Sequence, residues 1–398
     1  MTPATRISVL HFTNARVRAG AEEHVLTLLR GLDRTRFKPS IAAHPDVIPL
    51  LASDLPPDVE AIPVVLESPR DLPGALRFVR ILRRKQVDIV HSHMFQASRL
   101  ASPLAWLAGV PARIETPHVR ESWRQGWIKG SYTIDRIAGR FVTGYIAVSA
   151  ANADYLIKEK GLPPHKIVIA RPGTSLERFH PDRVVPPGLC ASVDIEDDAP
   201  VVLVLARLEP QKGHRILLDA WRSIAAAFPT VRLVCLSDGS LREELQRQVL
   251  SLGVGASVRF AGYQPEPADW IARAAFTVLP SFYEGLPGAA IESLAGGRAV
   301  VATSVDGTRE IVIDGRTGLL VPPGQPDPLA AAICRLLGSP SLARQLGQAG
   351  RRLVEEQFSE RRHVRDNEPE ACYSASTDLA RKLVCHHIFG SCSGTKET

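Results

Sequence analysis

Apolar positions recur along the first half of the chain in two alternating rhythms. Short runs at Ile7 to Phe12, Ser40 to Ala43, Val87 to His91, Arg113 to Thr116, Tyr145 to Val148 and Lys166 to Ile169 have the length and composition of buried strands. Between several of them the spacing changes to that of a helix. Glu22 through Val25, Leu28, Leu29 and Leu32 is one such pattern, Pro73 to Arg84 is a basic one, and Leu100 to Leu107 is a third. The polar, glycine-containing stretch Asn14 to Ala21 separates the first strand from the first helix. Strands alternating with helices predict a mostly parallel sheet covered on both faces, with ligand-binding loops at the carboxyl ends of the strands.

The same rhythm resumes after an interruption. Pro200 to Leu205, Leu233 to Leu236, Val258 to Phe260, residues 276–279, Ala299 to Ala302 and the run Gly318-Leu-Leu-Val read as strands. Helical patterns at Leu241 to Leu252 and Ala268 to Ala275 lie between them. The interruption, 184–199, is proline-rich and then acidic, ending Asp194-Ile-Glu-Asp-Asp, and reads as a linker. No two of its aspartates have Asp-x-Asp spacing, so a solvated charge run is expected there rather than a metal motif. At 398 residues the chain exceeds one ordinary core. The expected domains are 1–183 and 200–360, followed by an atypical tail, 361–398.

Composition narrows the partners. A net charge of +6 and a pI near 9.1 favour anions such as nucleotide diphosphates, phosphorylated lipids or an acidic membrane face. The basic residues are dispersed and no nucleic-acid motif accompanies them, so nucleic acid is not an expected partner. No segment approaches the roughly 20 uncharged apolar residues of a membrane span, and the N-terminus lacks a signal-peptide core. The expected address is the cytoplasm, including the inner face of the membrane. Cys190, Cys235 and Cys334 are expected to be reduced thiols, and Cys372, Cys385, His386, His387 and Cys392 match no standard zinc spacing.

Candidate chemistry concentrates in residues 278–297, a strand end passing through a Gly/Pro turn into a short helix. If that helix starts near Pro287, Glu284 lies just before it and Glu292 about a turn and a half inside. Their spacing then brings both carboxylates to the same side within roughly 12 Å along the axis, a span suited to a sugar at one end and a ribose at the other. Backbone N–H groups around Gly285 to Gly288, with the helix dipole, offer a place for phosphate. The bland alternative is one capping and one solvated carboxylate. Upstream, Arg207 and Lys212 lie five apart on a loop ending in Gly213, where both cations could converge on one diphosphate or be unrelated surface charges. His91, His93 and His118 stand at expected strand ends, where an imidazole serves either a structural hydrogen bond or a sugar contact and acid/base role. Arg120, Trp123, Arg124, Trp127, Lys129 and Tyr132 interleave cations with aromatics. That pattern suits an acceptor groove, a peripheral membrane contact or a solvated loop and helix with pinned tryptophans.

Glu284-Gly-Leu-Pro followed by Glu292 resembles the paired-glutamate signature of retaining glycosyltransferases of family 4. Arg207-Leu-Glu-Pro-Gln-Lys212-Gly213 resembles that family's Gly-Arg-Leu-x-x-x-Lys-Gly element, with Ala206 in place of the glycine. Gly20-Ala21-Glu22 resembles its Gly-Gly-Ala-Glu turn, with Ala19 for the first glycine, and Ser237-Asp238-Gly239 is similar to its Gly-x-Gly turn. His118 resembles the family histidine that reaches the donor sugar, although Pro117 departs from the usual pattern. The resemblance covers roughly residues 5–360, and the tail lacks the expected returning helix.

The resemblance implies an α/β chain of the GT-B class, two Rossmann-like doubly wound domains facing a central cleft. It implies transfer of a sugar, with retention, from a nucleotide-diphosphate sugar to a glycan or lipid-linked acceptor in envelope polysaccharide or glycolipid synthesis. Glu284 and His118 would be catalytic. Gly20, Arg207, Lys212, Gly285, Leu286, Pro287 and Glu292 would bind the donor, with neither metal nor cofactor. A nucleotide-sugar 2-epimerase, a phosphorylase and a non-catalytic nucleotide-sugar-binding subunit are the rival readings.

Overall fold

The computed structural model describes residues 6–18, 20–66, 68–121 and 132–359. Two compact units divide between Arg171 and Pro172.

In the first unit the order is β1 (Ile7–Phe12), α1 (Gly20–Gly31), β2 (Phe37–Ala43), α2 (Ile48–Leu51), β3 (Glu60–Pro63), α3 (Leu72–Arg84), β4 (Ile89–His93), α4 (Phe95–Ala108), β5 (Ala112–Thr116), α5 (Thr133–Ala138), β6 (Gly144–Ala147), α6 (Ala150–Lys158) and β7 (Ile167–Ile169). The strands form a parallel sheet in the order β3-β2-β1-β4-β5-β6-β7. Period-two alternation buries both faces: Leu10, Phe12 and Val90 join one apolar cluster, while Val9, Ile89 and Ile114 join another.

Several elements depart from expectation. Strand β4 begins at Ile89 and continues past His91 to His93, because Ser92 and His93 pair with Glu115 and Thr116 of β5. Helix α4 begins at Phe95, five residues before the expected start, its first turn carrying polar Gln96, Ser98 and Arg99 that obscure the apolar period. Strand β3, Glu-Ala-Ile-Pro, has too little pattern to be recognised in isolation.

The second unit repeats the plan with β8 (Val201–Leu205), α7 (His214–Ala227), β9 (Arg232–Leu236), α8 (Arg242–Ser251), β10 (Val258–Gly262), α9 (Pro267–Arg273), β11 (Phe276–Leu279), α10 (Gly288–Ala295), β12 (Val300–Thr303), α11 (Thr308–Ile311), β13 (Gly318–Val321), α12 (Pro326–Leu337) and α13 (Pro340–Gln357). Its parallel sheet runs β10-β9-β8-β11-β12-β13. The continuous apolar run of β8 follows from burial on both faces, and Val202 and Val204 pack with Trp221, Phe276 and Ile333. Residues 184–199 pack on this unit, with Cys190 and Ile195 buried. Arg259 donates to the carbonyls of Val193 and Asp194 (3.0 and 3.2 Å), and Arg273 to those of Asp197 and Ala199 (both 2.7 Å). Among the described residues no helix is long and apolar enough to cross a membrane.

Candidate functional site

In the second sheet the strand order reverses between β8 and β11, the point where open α/β sheets bind ligands beyond the carboxyl ends of their strands. The loop after β8 carries Arg207 and Lys212, and the loop after β11 carries Ser281, Tyr283 and Glu284. Backbone contacts stitch the two together. Phe282 N donates to Gln211 O, and Gln211 Nε2 donates to Tyr283 O, both at 2.8 Å. Gly213 sits at φ +69, where a Cβ would lie 2.0 Å from the Pro280 carbonyl oxygen, so glycine is required both for conformation and for this close approach.

At the centre of the stitched loops, Lys212 Nζ lies 2.6 Å from Glu284 Oε1, and Ser281 Oγ donates to the same oxygen at 2.7 Å. The Glu284 side chain is only 5% exposed, and a buried carboxylate requires such compensation. Its backbone N–H donates to Asp306 Oδ2 (3.1 Å), which ties in the loop after β12. In this arrangement Lys212 is turned to Glu284. Arg207 is exposed; among the described residues its guanidinium has no ion-pair partner, and its charge acts on the Tyr283 phenol. Burial and then Glu284 raise that phenol, while Arg207 lowers it.

Two helix N-termini follow these loops, α7 after Gly213 and α10 after Pro287, and no side chain caps either one. Each directs a positive dipole end and backbone N–H groups toward the carboxyl edge of the sheet. Pro287 is the residue before α10 rather than inside it. Gly285 and Leu286 are buried with Pro287, and Glu292 is half-buried in the helix. His214, the first residue of α7, is 2% exposed and is held neutral by burial and then by Lys212, its pKa pushed down to about 4.

The first unit places different chemistry at the same topological position, between β1 and β4. His11, His91, His93 and Thr116 share the parity of Val9, Ile89 and Ile114, so they lie on one face. The strand register sets His11 beside His91, and His93 beside Thr116. His11 Nδ1 is 3.1 Å from His93 Nε2, His93 Nδ1 is 3.2 Å from His118 Nε2, and His91 Nε2 is 2.7 Å from Thr116 Oγ1. His24 of α1 presents its edge to His118, with ring centroids 4.7 Å apart. Burial pushes His11 down to about 4. Burial first, and then the neighbouring histidines, hold His93 well below the usual range. Sequence reasoning found His91, His93 and His118 but missed His11 and His24. The alternation His-x-His at a strand end was the available signal.

Gly20 opens α1 in an exposed position, and a Cβ there would meet nothing within 4 Å. Two residues on, buried Glu22 accepts from Thr13 Oγ1 (2.9 Å). Of the basic and aromatic run, Arg120 pairs with Glu159 (2.7 Å), and Glu121 pairs with the buried Lys160 (2.7 Å), which also binds Asp135 (2.8 Å). Trp123 and Trp127 lie outside the described residues, as do Ala19, the expected tail and its cysteines.

A family model described as Glycosyltransferase Family 4 matches residues 18–178, and one described as Glycosyl transferases group 1 matches residues 199–339. A D-inositol 3-phosphate glycosyltransferase of Streptomyces bingchenggensis is 30% identical over 65% of this chain and 61% of its own length. The lipopolysaccharide core biosynthesis glycosyltransferase LpsE of Rhizobium meliloti is 35% identical over 42% of this chain and 48% of its own. A D-inositol 3-phosphate glycosyltransferase of Thermobispora bispora is 30% identical over 73% of this chain and 76% of its own. The chain thus spans between about half and three quarters of the length of these relatives. Among solved structures, Anabaena HepE in complex with UDP and glucose matches with a TM-score of 0.81 at 20% identity, covering 93% of this chain and all of HepE. Sucrose-phosphate synthase from Thermosynechococcus elongatus matches with a TM-score of 0.77 at 22% identity, covering 94% of this chain and all of the synthase. At these identities the likeness is one of fold.

Proposed function

Because the chain belongs to glycosyltransferase family 4, we propose that it is a retaining glycosyltransferase acting on a nucleotide-diphosphate sugar. The observation that carries this reading is the ion pair between Lys212 and the buried Glu284 at the β8/β11 switch point, with the Arg207 guanidinium on the same loop. A diphosphate arriving beside Lys212 competes with Glu284 for the ammonium. The carboxylate it releases becomes available to the hydroxyls of the attached sugar.

As the bond from the anomeric carbon to the phosphate oxygen breaks, charge grows on the diphosphate. Arg207, Lys212 and the two uncapped helix N-termini stabilise that charge more than they stabilise the ground state. The acceptor hydroxyl attacks from the face the diphosphate leaves, and its proton passes to the departing phosphate oxygen. In this reading Gly285, Leu286 and Pro287 support the phosphate with their backbone, and Glu292 holds the ribose hydroxyls. Gly20 opens the donor-side turn of the first unit, and His118 contacts the transferred sugar.

HepE, whose fold this chain shares, is described in complex with UDP and glucose, which makes UDP-hexoses the first donors to test. The inositol-phosphate and lipopolysaccharide-core relatives favour a hydroxyl acceptor on a phosphorylated polyol or a lipid-linked glycan, met at the cytoplasmic face of the membrane. Thermal shift of the full chain with UDP-, GDP- and ADP-sugars, followed by transfer assays, tests the proposal. Glu284→Ala is expected to lose most transfer while keeping diphosphate affinity, since it frees Lys212. An active Glu284→Ala enzyme would remove Glu284 from the reaction. Isomerised donor in the absence of acceptor would instead indicate an epimerase, and tight diphosphate binding with no transfer to any acceptor a binding subunit.

A further inference from the structure

Five imidazoles meet at the carboxyl ends of β1, β4 and β5 in the first unit, and sugar transfer as proposed uses at most one of them. His11, His24, His91 and His93 are each no more than 6% exposed, and His118 is half-buried. Neutral imidazole is the commonest protein ligand for a metal, and here several such rings are packed together out of water. We propose that His24, His93 and His118 bind a divalent d-block cation of the zinc class.

The geometry favours this triad. One ligand nitrogen from each of the three rings lies within 4.8 Å of the others. The His93 Nδ1 to His118 Nε2 distance of 3.2 Å is close to the edge of a tetrahedron whose metal–nitrogen bonds are about 2.0–2.1 Å. Imidazole nitrogen suits zinc, copper and nickel, whereas magnesium and calcium seek oxygen. His93 also has an outer partner. When its Nε2 proton is donated to His11 Nδ1, at 3.1 Å, its Nδ1 lone pair is the one left facing His118. The neighbouring triad of His11, His91 and His93 meets the same distance limit, but all three of its rings are buried and His91 Nε2 is engaged by Thr116 Oγ1. Half-buried His118 gives the first triad the route of entry that a metal site needs. With three protein ligands, the fourth position is left to water or an exogenous ligand.

The triad shares His118 with the transferase reading, but its test needs no nucleotide sugar, so the two can fail separately. Chelator-treated full-length protein is titrated with Co2+ and followed by visible d–d absorption, then with Zn2+ by calorimetry. One equivalent of Co2+ with the bands of a four- or five-coordinate site, displaced by Zn2+, is expected. His118→Ala, a half-buried change that spares the core, should lose that equivalent, and so should His24→Ala. His11→Gln should keep it with affinity reduced about 10–100-fold, the usual effect of losing an outer partner. His165→Ala, at an exposed position, should leave it unchanged. Thermal melts of the metal-free variants separate lost binding from lost folding. The cysteine-bearing tail is the competing ligand source, so a variant with Cys372, Cys385 and Cys392 all replaced by serine must retain the equivalent. Absence of d–d bands in the parent, persistence in His118→Ala, or loss in the serine variant overturns the proposal.

Discussion

The two units share the order of their first six strands, to which the first unit adds β7, and they place opposite chemistry at the same topological point. In the second unit the candidate side chains sit on loops after β8 and β11. They are charged, with Lys212 bound to Glu284 and Arg207 exposed on the loop after β8. In the first unit the rings of His11, His91 and His93 project from the strands themselves, inside the sheet's own register, and burial holds His11 and His93 neutral. Topology thus decides where a ligand can approach. Whether that place carries charge depends on whether the side chains stand on loops, where a buried ion can recruit a counter-ion, or on strands, where neighbours are fixed by pairing.

The strongest way to break this comparison is to remove the cation. Lys212→Ala leaves the Glu284 carboxylate buried with Ser281 as the remaining side-chain donor among the contacts described above. Stranding one partner of such a pair costs about 3–5 kcal/mol. Transfer should fall by about 100- to 1,000-fold, and diphosphate affinity should fall with it, because the same ammonium serves both. Initial rates and calorimetry with the diphosphate measure the two. A variant that keeps its diphosphate affinity would mean that Lys212 is structural only, and that the charged switch point is not an anion site.

The first unit is not free of buried charge, and its exception sharpens the contrast. Lys160, 1% exposed, binds Glu121 and Asp135, and nearby Glu115 is pushed up to about 7, mainly by burial and against the pull of Lys160. The folded state keeps the Glu115 proton up to about pH 7, whereas the unfolded chain releases it near 4.5, so this group costs stability progressively as pH rises between those values. At about 1.36 kcal/mol per pH unit, the cost approaches about 3 kcal/mol by neutral pH. Glu115→Gln should therefore match the parent near pH 4 and gain on it up to pH 7, read as the difference between two denaturation series. His11 acts in the opposite direction, since its pKa of about 4 in the fold makes stability rise with pH from that value toward 6.5, but it does so in both proteins and cancels. A constant difference across the range would show that Glu115 titrates normally.

Much of this was legible in the chain, for reasons that also mark the limit. The apolar runs of β8 and β11 announce strands buried on both faces, and Arg207, Lys212, Glu284 and Glu292 follow in recognisable local patterns. Local pattern does not say which loops meet in space. The closure of Lys212 on Glu284, separated by 72 residues, could not be read, nor could the bond from the Glu284 backbone to Asp306. The histidines show the same limit in another form. Parity places His91 and His93 on one face, but only the register of β1 with β4 brings His11 alongside, and register is a property of the folded sheet.

The smallest expected effect separates the two roles assigned to the loop after β11. Ser281 Oγ donates to Glu284 Oε1, the oxygen that Lys212 also holds, and the Ser281 carbonyl is itself anchored by Thr303 Oγ1. In the ligand-free pair the hydroxyl is the weaker of two donors. In the proposed reaction, once a diphosphate draws Lys212 away, it becomes the remaining side-chain donor of the two that orient the carboxylate toward the sugar. Ser281→Ala should therefore leave diphosphate affinity nearly unchanged and reduce kcat about tenfold, about 1.4 kcal/mol, within reach of one hydrogen bond to a charged group. The split between binding and turnover is the informative quantity. Equal losses in diphosphate affinity and kcat would put Ser281 in the anion cradle with Lys212, and would shift the boundary between phosphate-holding and sugar-orienting residues to the start of the β11 loop.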